Sequence, residues 1–160
     1  MPSKNHGVRV AKFCLSDFLP YKLAVVIESV VRVFAVNYQE ACDLTIPEVR
    51  ALFVIAEYGT LSPTEVGQHT SMDKVKVSRA AQSLVGKGLL RQTQDPSDGR
   101  GRLLRLTRKG AATHARMVPI AFKVEAELLD QLSQADIATL NRILGKITTR
   151  LETIEGTDPG

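Results

Sequence analysis

The sequence is poor in the residues that build metal sites, disulfide frameworks and membrane spans. Its 160 residues include two cysteines, Cys14 and Cys42, and three scattered histidines, so we expect reduced thiols and no metal site. The longest unbroken apolar runs, Leu23 to Ile27 and Ala51 to Ala56, are far shorter than the ~18 residues of a membrane-spanning helix. No apolar segment with a cleavage site follows the basic N-terminus, which argues against a secretory signal. We expect a cytoplasmic protein without a membrane span.

Motifs of common enzyme classes are also missing. The chain has no G-x-x-x-x-G-K-[ST] loop, no G-x-G-x-x-G at a helix start and no H-E-x-x-H sequence, so nucleotide hydrolysis, dinucleotide cofactors and zinc hydrolysis lack their usual groups. The neighbouring carboxylates Glu125, Glu127 and Asp130 fit a solvated helix face better than acid-base catalysis. We therefore expect a protein that is not an enzyme and that carries no cofactor.

Positive charge is concentrated in one segment. From Ser71 to Lys109 there are ten basic and three acidic residues, a net charge of +7, so the rest of the chain contributes −3 to the overall +4. Such a segment is typical of a surface that neutralises nucleic-acid phosphates. The alternative is a basic face exposed only to solvent, and the shape of the element that carries the charge decides between them.

Two helix starts in the middle of the chain share one pattern. Thr45-Ile46-Pro47-Glu48 and Ser62-Pro63-Thr64-Glu65 are capping boxes with proline in the first turn. The first predicts a helix that ends at Gly59, and the second predicts a helix to about His69. A longer helix, from about Asp17 to Cys42, precedes both and has apolar residues on more than one face.

A fourth helix, from about Asp73 to Gly86, follows the third after a few residues. Two such helices, the second of them basic, form a helix-turn-helix. A helical projection predicts an apolar inner face made of Val77, Ala81, Leu84 and Val85, and it places Ser83 on the polar outer face. A major groove requires Arg and Lys for guanine or phosphate, Gln for adenine and an apolar group for a thymine methyl. The predicted DNA contacts are Lys74, Val75, Lys76, Ser78, Arg79 and Gln82.

A β-hairpin is predicted next, with strands at Leu89 to Gln94 and Leu103 to Thr107 and a turn-rich, basic tip between them. A hairpin directly after a helix-turn-helix forms a wing, whose Arg100 and Arg102 are expected to contact the DNA backbone or the minor groove. We expect Asp98 to hold an arginine in place by a charge-assisted hydrogen bond. An ordinary hairpin turn would have the same composition.

The C-terminal part is predicted to form two apolar-rich helices. One runs from Arg108 to about Leu132 with a bend at Pro119, and the other follows a capping box at Ser133 to Asp136. Apolar residues of the last helix step by three and four positions, the spacing of a seam against another helix. They are Ile137, Leu140, Leu144, Ile147, Leu151 and Ile154. Packing within the chain fits this spacing too, but apolar helices at both ends of a small chain favour a homodimer.

Several segments follow one another in a characteristic order. They are Leu61 to Val66, Met72 to Arg79, Leu84 to Arg91, Asp95 to Arg100, and Leu106 to Gly110. In this order the chain resembles the MarR family of bacterial transcription regulators, most specifically in Asp98-x-Arg100 and the following Leu-Thr-x-x-Gly. The resemblance implies a homodimer that binds a palindromic double-stranded DNA operator, usually as a repressor. In many members a small aromatic compound releases the DNA.

The effector follows from the same resemblance. The segments Phe18 to Leu23 and Thr45 to Arg50 look like a branch that includes regulators of aromatic-acid catabolism, which implies an aromatic acid or its thioester as the ligand. A pocket between the first helix, the second helix and the start of the fifth is the expected site. In it, two arginines would bind a carboxylate while tyrosine and methionine cover the ring. The candidate ligand residues are Arg32, Tyr38, Arg50, His114 and Met117.

The predicted fold is all-α with a small β-hairpin wing: a winged helix-turn-helix flanked by dimerisation helices. We predict an N-terminal arm and dimerisation helix at 1–44, a DNA-binding domain at 45–110 and C-terminal dimerisation helices at 111–160. The predicted function is ligand-responsive repression of transcription. One alternative is a peroxide-sensing repressor that uses Cys14, for which only Lys12 and Lys22 are basic neighbours. The other is a winged helix that binds protein.

Overall fold

A computed structural model of the chain describes residues 13–94 and 101–155. A 3-10 turn at Leu15–Asp17 precedes four helices: α1 (Leu19–Cys42), α2 (Ile46–Tyr58), α3 (Pro63–Thr70) and α4 (Lys74–Gly86). The strands β1 (Leu90–Gln94) and β2 (Arg102–Leu106) pair antiparallel, and α5 (Arg108–Leu129) and α6 (Gln134–Glu155) follow them. This arrangement confirms the predicted all-α fold with a β-hairpin wing.

Side-chain caps set the helix starts where the sequence predicts them. The Glu48 carboxylate accepts a hydrogen bond from the Thr45 backbone N–H at 2.6 Å, and the Glu65 carboxylate accepts one from Ser62 N–H at 2.7 Å. At the start of α6 the same reciprocal pattern joins Ser133 and Asp136. Each cap satisfies backbone donors that the first helical turn leaves unpaired.

The hydrophobic core is centred on α2, which α1, α3, α4 and α5 surround. The buried residues of α4 are Val77, Ala80, Ala81 and Leu84. Three of these were predicted, but Val85 is only partly buried and Ala80 packs in the core instead. The hairpin contributes the buried side chains of Leu90 and Leu104 to the core. The buried face of α4 therefore fixes which of its faces points away from the protein.

The Leu-Thr-x-x-Gly motif joins the hairpin to α5. The Thr107 hydroxyl donates to the Gly88 carbonyl at 2.7 Å and accepts from Gly110 N–H at 3.0 Å, while Thr107 N–H donates to the Leu89 carbonyl at 3.0 Å. A Cβ atom at Gly110 would lie 2.0 Å from the Leu89 carbonyl oxygen. Only glycine allows the first turn of α5 to approach the strand this closely.

Two helix boundaries differ from the predictions. The first long helix begins at Leu19, because Leu15–Asp17 forms a separate 3-10 turn before it. Helix α5 continues through Pro119 and ends at Leu129, three residues before the predicted end. A proline in a helix removes one backbone hydrogen bond, and here that loss does not end the helix.

Helix α6 lies on the outside of the single chain. No residue of α6 is buried where the structure describes its exposure, and its seam residues Leu140, Leu144, Leu151 and Ile154 are exposed. The N-terminal half of α1 also exposes Leu19, Leu23, Val26 and Ile27. None of the helices in the described ranges is long and apolar enough to cross a membrane. Within residues 13–94 and 101–155, two apolar helical surfaces are therefore exposed.

Candidate nucleic-acid interface

The outward face of α4 carries the side chains that the sequence predicts for DNA contact. All of them are exposed: Lys74, Val75, Lys76, Ser78, Arg79 and Gln82. Val75 has 58% of its surface exposed although it is apolar and lies between two lysines. Arg79 makes no ion pair with any residue in the described ranges. The face therefore presents exposed cationic, amide and methyl side chains, of which Lys76 also pairs with Asp73.

The start of α4 is fixed by Asp73. Its carboxylate accepts a hydrogen bond from the Lys76 backbone N–H at 2.8 Å and lies 3.2 Å from Lys76 Nζ. The hydrogen bond from Lys76 N–H is the main reason that the pKa of Asp73 lies below its usual value. Both side chains of the ion pair are more than half exposed, so it contributes little to stability. Its effect is to order the N-terminal end of the helix.

A close turn joins α3 to α4. Ser71 adopts a left-handed backbone conformation with φ 53°, and the next residue, Met72, is buried. A Cβ atom at Gly67 would lie 3.2 Å from the Met72 carbonyl oxygen, tighter than an ordinary contact. Gly67 was not among the predicted residues, although a glycine inside a short helix is a signal for close backbone approach.

The wing carries a cationic pair that becomes visible only in the strand register. Arg91 lies directly opposite Arg105, and both are exposed. Like charges opposite each other in a sheet are destabilising unless an anion approaches them. Arg102 is exposed and pairs with Gln94 at the outermost described position of the hairpin. The predicted wing residues Asp98 and Arg100 lie outside the described residues, and their roles stay predictions.

Ser83 does not belong to the outward face, contrary to the sequence analysis. It is half-buried, and its hydroxyl donates to Glu48 Oε1 at 2.5 Å. Glu48 has 3% of its surface exposed and also lies 3.0 Å from Lys87 Nζ. Burial alone would raise the pKa of Glu48, but the hydrogen bonds from Ser83, Thr45 and Lys87 together lower it below its usual value. Glu48 is therefore an ionised carboxylate in the protein interior.

The predicted ligand residues fall into two groups. Tyr38 and Met117 are buried in the core and His114 is half-buried, whereas Arg32 and Arg50 are exposed. Arg32 donates to the Ser29 hydroxyl at 2.7 Å. Burial, with a smaller contribution from Cys42, raises the pKa of the Tyr38 hydroxyl. The structure thus leaves the two arginines exposed, while the other predicted members are buried or half-buried.

Aromatic rings link the buried group across three helices. The ring centroids of Tyr38 and Phe53 are 6.4 Å apart, and those of Phe53 and His114 are 4.7 Å apart with the rings edge to face. Phe34 stacks on Tyr38 at 5.7 Å. Neither phenylalanine was among the predicted ligand residues, although Phe34 and Tyr38 have the i, i+4 spacing of helical neighbours. We call Phe34, Tyr38, Phe53 and His114 the aromatic cluster.

The two cysteines have different surroundings. Cys14 is exposed, and its Sγ lies 3.1 Å from the Ser16 hydroxyl oxygen. Cys42 is partly buried against the core. Neither is in a disulfide bond.

Comparison with known proteins places this geometry in a family. A sequence profile described as MarR family matches residues 43–101. The multiple antibiotic resistance protein MarR of Salmonella typhimurium is 31% identical over 115 residues, which cover 69% of this chain and 78% of that protein. The chain belongs to the MarR family. It is accordingly a DNA-binding transcription regulator of the repressor type and not an enzyme.

Two further relatives agree with this assignment. The transcriptional repressor IacR of Pseudomonas putida is 27% identical over 112 residues, 70% of this chain and 67% of that protein. A structure of a MarR mutant from Escherichia coli with operator DNA has a TM-score of 0.71 and 26% identity, and it covers 84% of this chain and 98% of that one. The likeness therefore extends well beyond the residues that the family profile matches.

Several features of this MarR-family regulator depend on residues far apart in the sequence. Arg91 and Arg105 meet because of the register of the two strands, and Ser83 bonds to Glu48, which lies 35 positions earlier in the chain. The aromatic cluster combines α1, α2 and α5. Local patterns identify the face of α4, but they do not show which groups hold that helix in place.

Proposed function

We propose that this regulator represses transcription as a homodimer that places α4 of each chain in a major groove of a palindromic operator. The observation that carries the proposal is the division of α4 into two faces. Val77, Ala80, Ala81 and Leu84 are buried on one face, and the cationic and amide side chains are exposed on the other. A helix that is buried on one face and basic on the exposed face has the shape and charge that fit a major groove.

The contacts divide by chemistry. Arg79 and Gln82 read base edges, because Arg pairs with guanine and Gln with adenine in the major groove. Lys74, Lys76 and Ser78 bind phosphates, and Val75 meets a thymine methyl. On the wing, Arg100 and Arg102 bind the backbone or the minor groove, with Asp98 orienting one of them. The wing proposal is supported by the exposed Arg91 and Arg105 pair, which adds positive charge to the same hairpin.

The dimer is supported by apolar surface that one chain leaves uncovered. An apolar groove of about 430 Å³ between α1 and α5 is lined by Val25, Val26, Ser29, Val30, Val33, Val124, Glu127 and Leu128. Leu140, Leu144, Leu151 and Ile154 of the α6 seam add further exposed apolar side chains, and exposed apolar surface of this kind marks protein–protein contacts. A second copy covers it by twofold symmetry. In this arrangement residues 1–44 and 111–160 dimerise, and residues 45–110 bind DNA.

Binding to selected DNA tests the proposal. The full chain is used to select duplexes from a random library, and its affinity for the selected duplex is measured by fluorescence anisotropy over a range of salt concentrations. We expect two half-sites with centres ~34 Å apart, two chains per duplex and an affinity that falls steeply with salt. If the selection yields no preferred sequence and the chain binds DNA weakly at every salt concentration, the alternative of a winged helix that binds protein is favoured.

We also propose that a small aromatic acid or its thioester is the effector and that it binds at the aromatic cluster. The supporting observation is that Tyr38, Phe53 and His114 bring rings from α1, α2 and α5 into contact. A flat ligand that inserts there changes the separation of these helices and hence the distance between the two α4 helices of a dimer. Arg32 and Arg50 bind its carboxylate, and Met117 contacts its ring.

Titration with and without DNA tests the effector. Binding of the acid and binding of DNA are thermodynamically linked. If the acid lowers the affinity for the selected duplex by some factor, the duplex must lower the affinity for the acid by that same factor. We expect Arg50→Met to weaken binding of the acid, with the same exchange at the exposed Arg142 of α6 as the matched control. If no acid of an aromatic panel binds, or if a binder has equal affinity for free and DNA-bound protein, this part of the proposal is wrong.

A further inference from the structure

A buried carboxylate joins the recognition helix to the rest of the protein. Glu48 belongs to the first turn of α2 and is almost fully buried. Its Oε2 accepts from the Thr45 N–H at 2.6 Å and from the Thr45 hydroxyl at 2.8 Å, and its Oε1 accepts from the Ser83 hydroxyl. One oxygen thus caps α2, while the other reaches α4. The capping role alone does not require the second set of bonds.

Lys87 extends the connection at the C-terminal end of α4. Its Nζ lies 3.0 Å from Glu48 Oε1 and donates to the Asp43 carbonyl at the turn between α1 and α2. The Lys87 carbonyl accepts from Lys109 Nζ at 2.8 Å, at the start of α5. Four helices therefore meet at this one polar junction, which we define as Glu48, Ser83 and Lys87.

The junction adds a directional bond to the apolar packing of α4. Hydrophobic contacts are non-directional, and two of the four buried residues of α4 are alanines, which have no side chain beyond Cβ to interlock with a neighbouring helix. A hydrogen bond is directional and fixes the angle of the residue that donates it. Ser83 directly follows Gln82 and comes about one helical turn after Arg79. Its bond to Glu48 thus fixes the direction in which those two side chains leave the helix.

We propose that Glu48 and Ser83 are positioning residues for operator recognition: their hydrogen bond holds α4 at the rotation at which Arg79 and Gln82 meet base edges. The inference rests on the proposed placement of α4 in the major groove. Bidentate base contacts require closely defined geometry, whereas salt-dependent phosphate contacts tolerate small rotations. Loss of the bond therefore lowers discrimination between sequences and leaves general affinity for DNA in place.

Ser83→Ala is the most informative variant. It removes the bond to α4 but keeps both Thr45 bonds and the Lys87 ion pair of Glu48, so the protein should fold. The full-length protein is tested on the duplex that the wild type selects and on a scrambled duplex of the same composition. We expect a loss of about tenfold in the ratio of the two affinities, with the affinity for scrambled DNA and its salt dependence unchanged. Ser83→Thr, which keeps a hydroxyl, should restore most of the ratio.

Two reference variants make the result decisive. Leu52→Ala removes a fully buried side chain of α2 and lowers stability, but it removes no hydrogen bond of the junction; Arg79→Ala removes a proposed base contact. If Ser83→Ala lowers the ratio no more than Leu52→Ala does, while Arg79→Ala lowers it clearly, the positioning role is wrong and the placement of α4 stands. If Arg79→Ala also leaves the ratio unchanged, the placement of α4 is wrong and the positioning role falls with it.

Discussion

Substitution of Gly110 by alanine tests the packing that joins the wing to α5. The new Cβ atom would lie 2.0 Å from the Leu89 carbonyl oxygen, 3.0 Å from the Leu89 carbonyl carbon and 3.1 Å from a methyl of Leu106. The first of these atoms belongs to the backbone and cannot rotate away. The start of α5 and the strand must therefore separate by more than about 1 Å to reach ordinary contact distances.

The expected cost follows from what this separation breaks. The Leu89 carbonyl accepts hydrogen bonds from Thr107 N–H at 3.0 Å and from the Thr107 hydroxyl at 3.2 Å, and both lengthen when the backbones move apart. Overpacking costs roughly 1–3 kcal/mol and each weakened hydrogen bond about 0.5–1.5 kcal/mol. The better helix propensity of alanine offsets about 1 kcal/mol of this. We expect a net loss of about 1–5 kcal/mol in the free energy of unfolding.

Urea unfolding of the variant, followed by circular dichroism, measures this loss. The matched control is Gly86→Ala, the same exchange at the end of α4, where a Cβ atom meets nothing within 4 Å. That control should be neutral or stabilising by up to about 1 kcal/mol. Equal stability of the two variants would show that α5 does not need its close approach to Leu89, and the explanation of the Leu-Thr-x-x-Gly motif would then be wrong.

Four further predictions concern other parts of the molecule. Arg79→Ala should cost about 1–3 kcal/mol on the selected duplex and relax base preference, and an equal loss on scrambled DNA would show a phosphate contact instead. Leu144→Glu, which places a charge in the seam of α6, should give a monomer or an unfolded chain in sedimentation experiments, whereas Thr149→Glu on the opposite helix face should remain dimeric. Because the folded protein lowers the pKa of Glu48, the stability that this ionised group contributes is complete above its unfolded pKa and is lost as pH falls through the folded value. The difference in unfolding free energy between wild type and Glu48→Gln should therefore be constant above about pH 5 and shrink below pH 4.5, and a difference that grows on acidification would contradict an ionised Glu48. Because the Cys14 Sγ lies 3.1 Å from the neutral Ser16 hydroxyl oxygen, peroxide should affect DNA binding by the wild type and by Cys14→Ser alike, and release of DNA from the wild type alone would establish the redox alternative.

The position of Ser83 shows that helical periodicity does not predict the burial of a residue between the two faces of a helix. The projection correctly separates Val77, Ala81 and Leu84 from Arg79 and Gln82, because burial on a helix follows the 3.6-residue period. Ser83 lies at the border between the two faces, where its environment depends on what another helix presents to it. That group is Glu48, which the sequence identifies only as half of a capping box.

Local sequence patterns were enough to predict the helix starts, the hairpin, the basic face of α4 and the family, because these depend on groups a few residues apart or on an ordered series of short motifs. Capping boxes act within one turn, and amphipathic faces follow from local geometry. The Glu48 junction, the Arg91 and Arg105 pair and the aromatic cluster could be found only in the folded chain. Each of these joins separate elements, and the distance between elements is set by packing of the whole core, which no local pattern encodes.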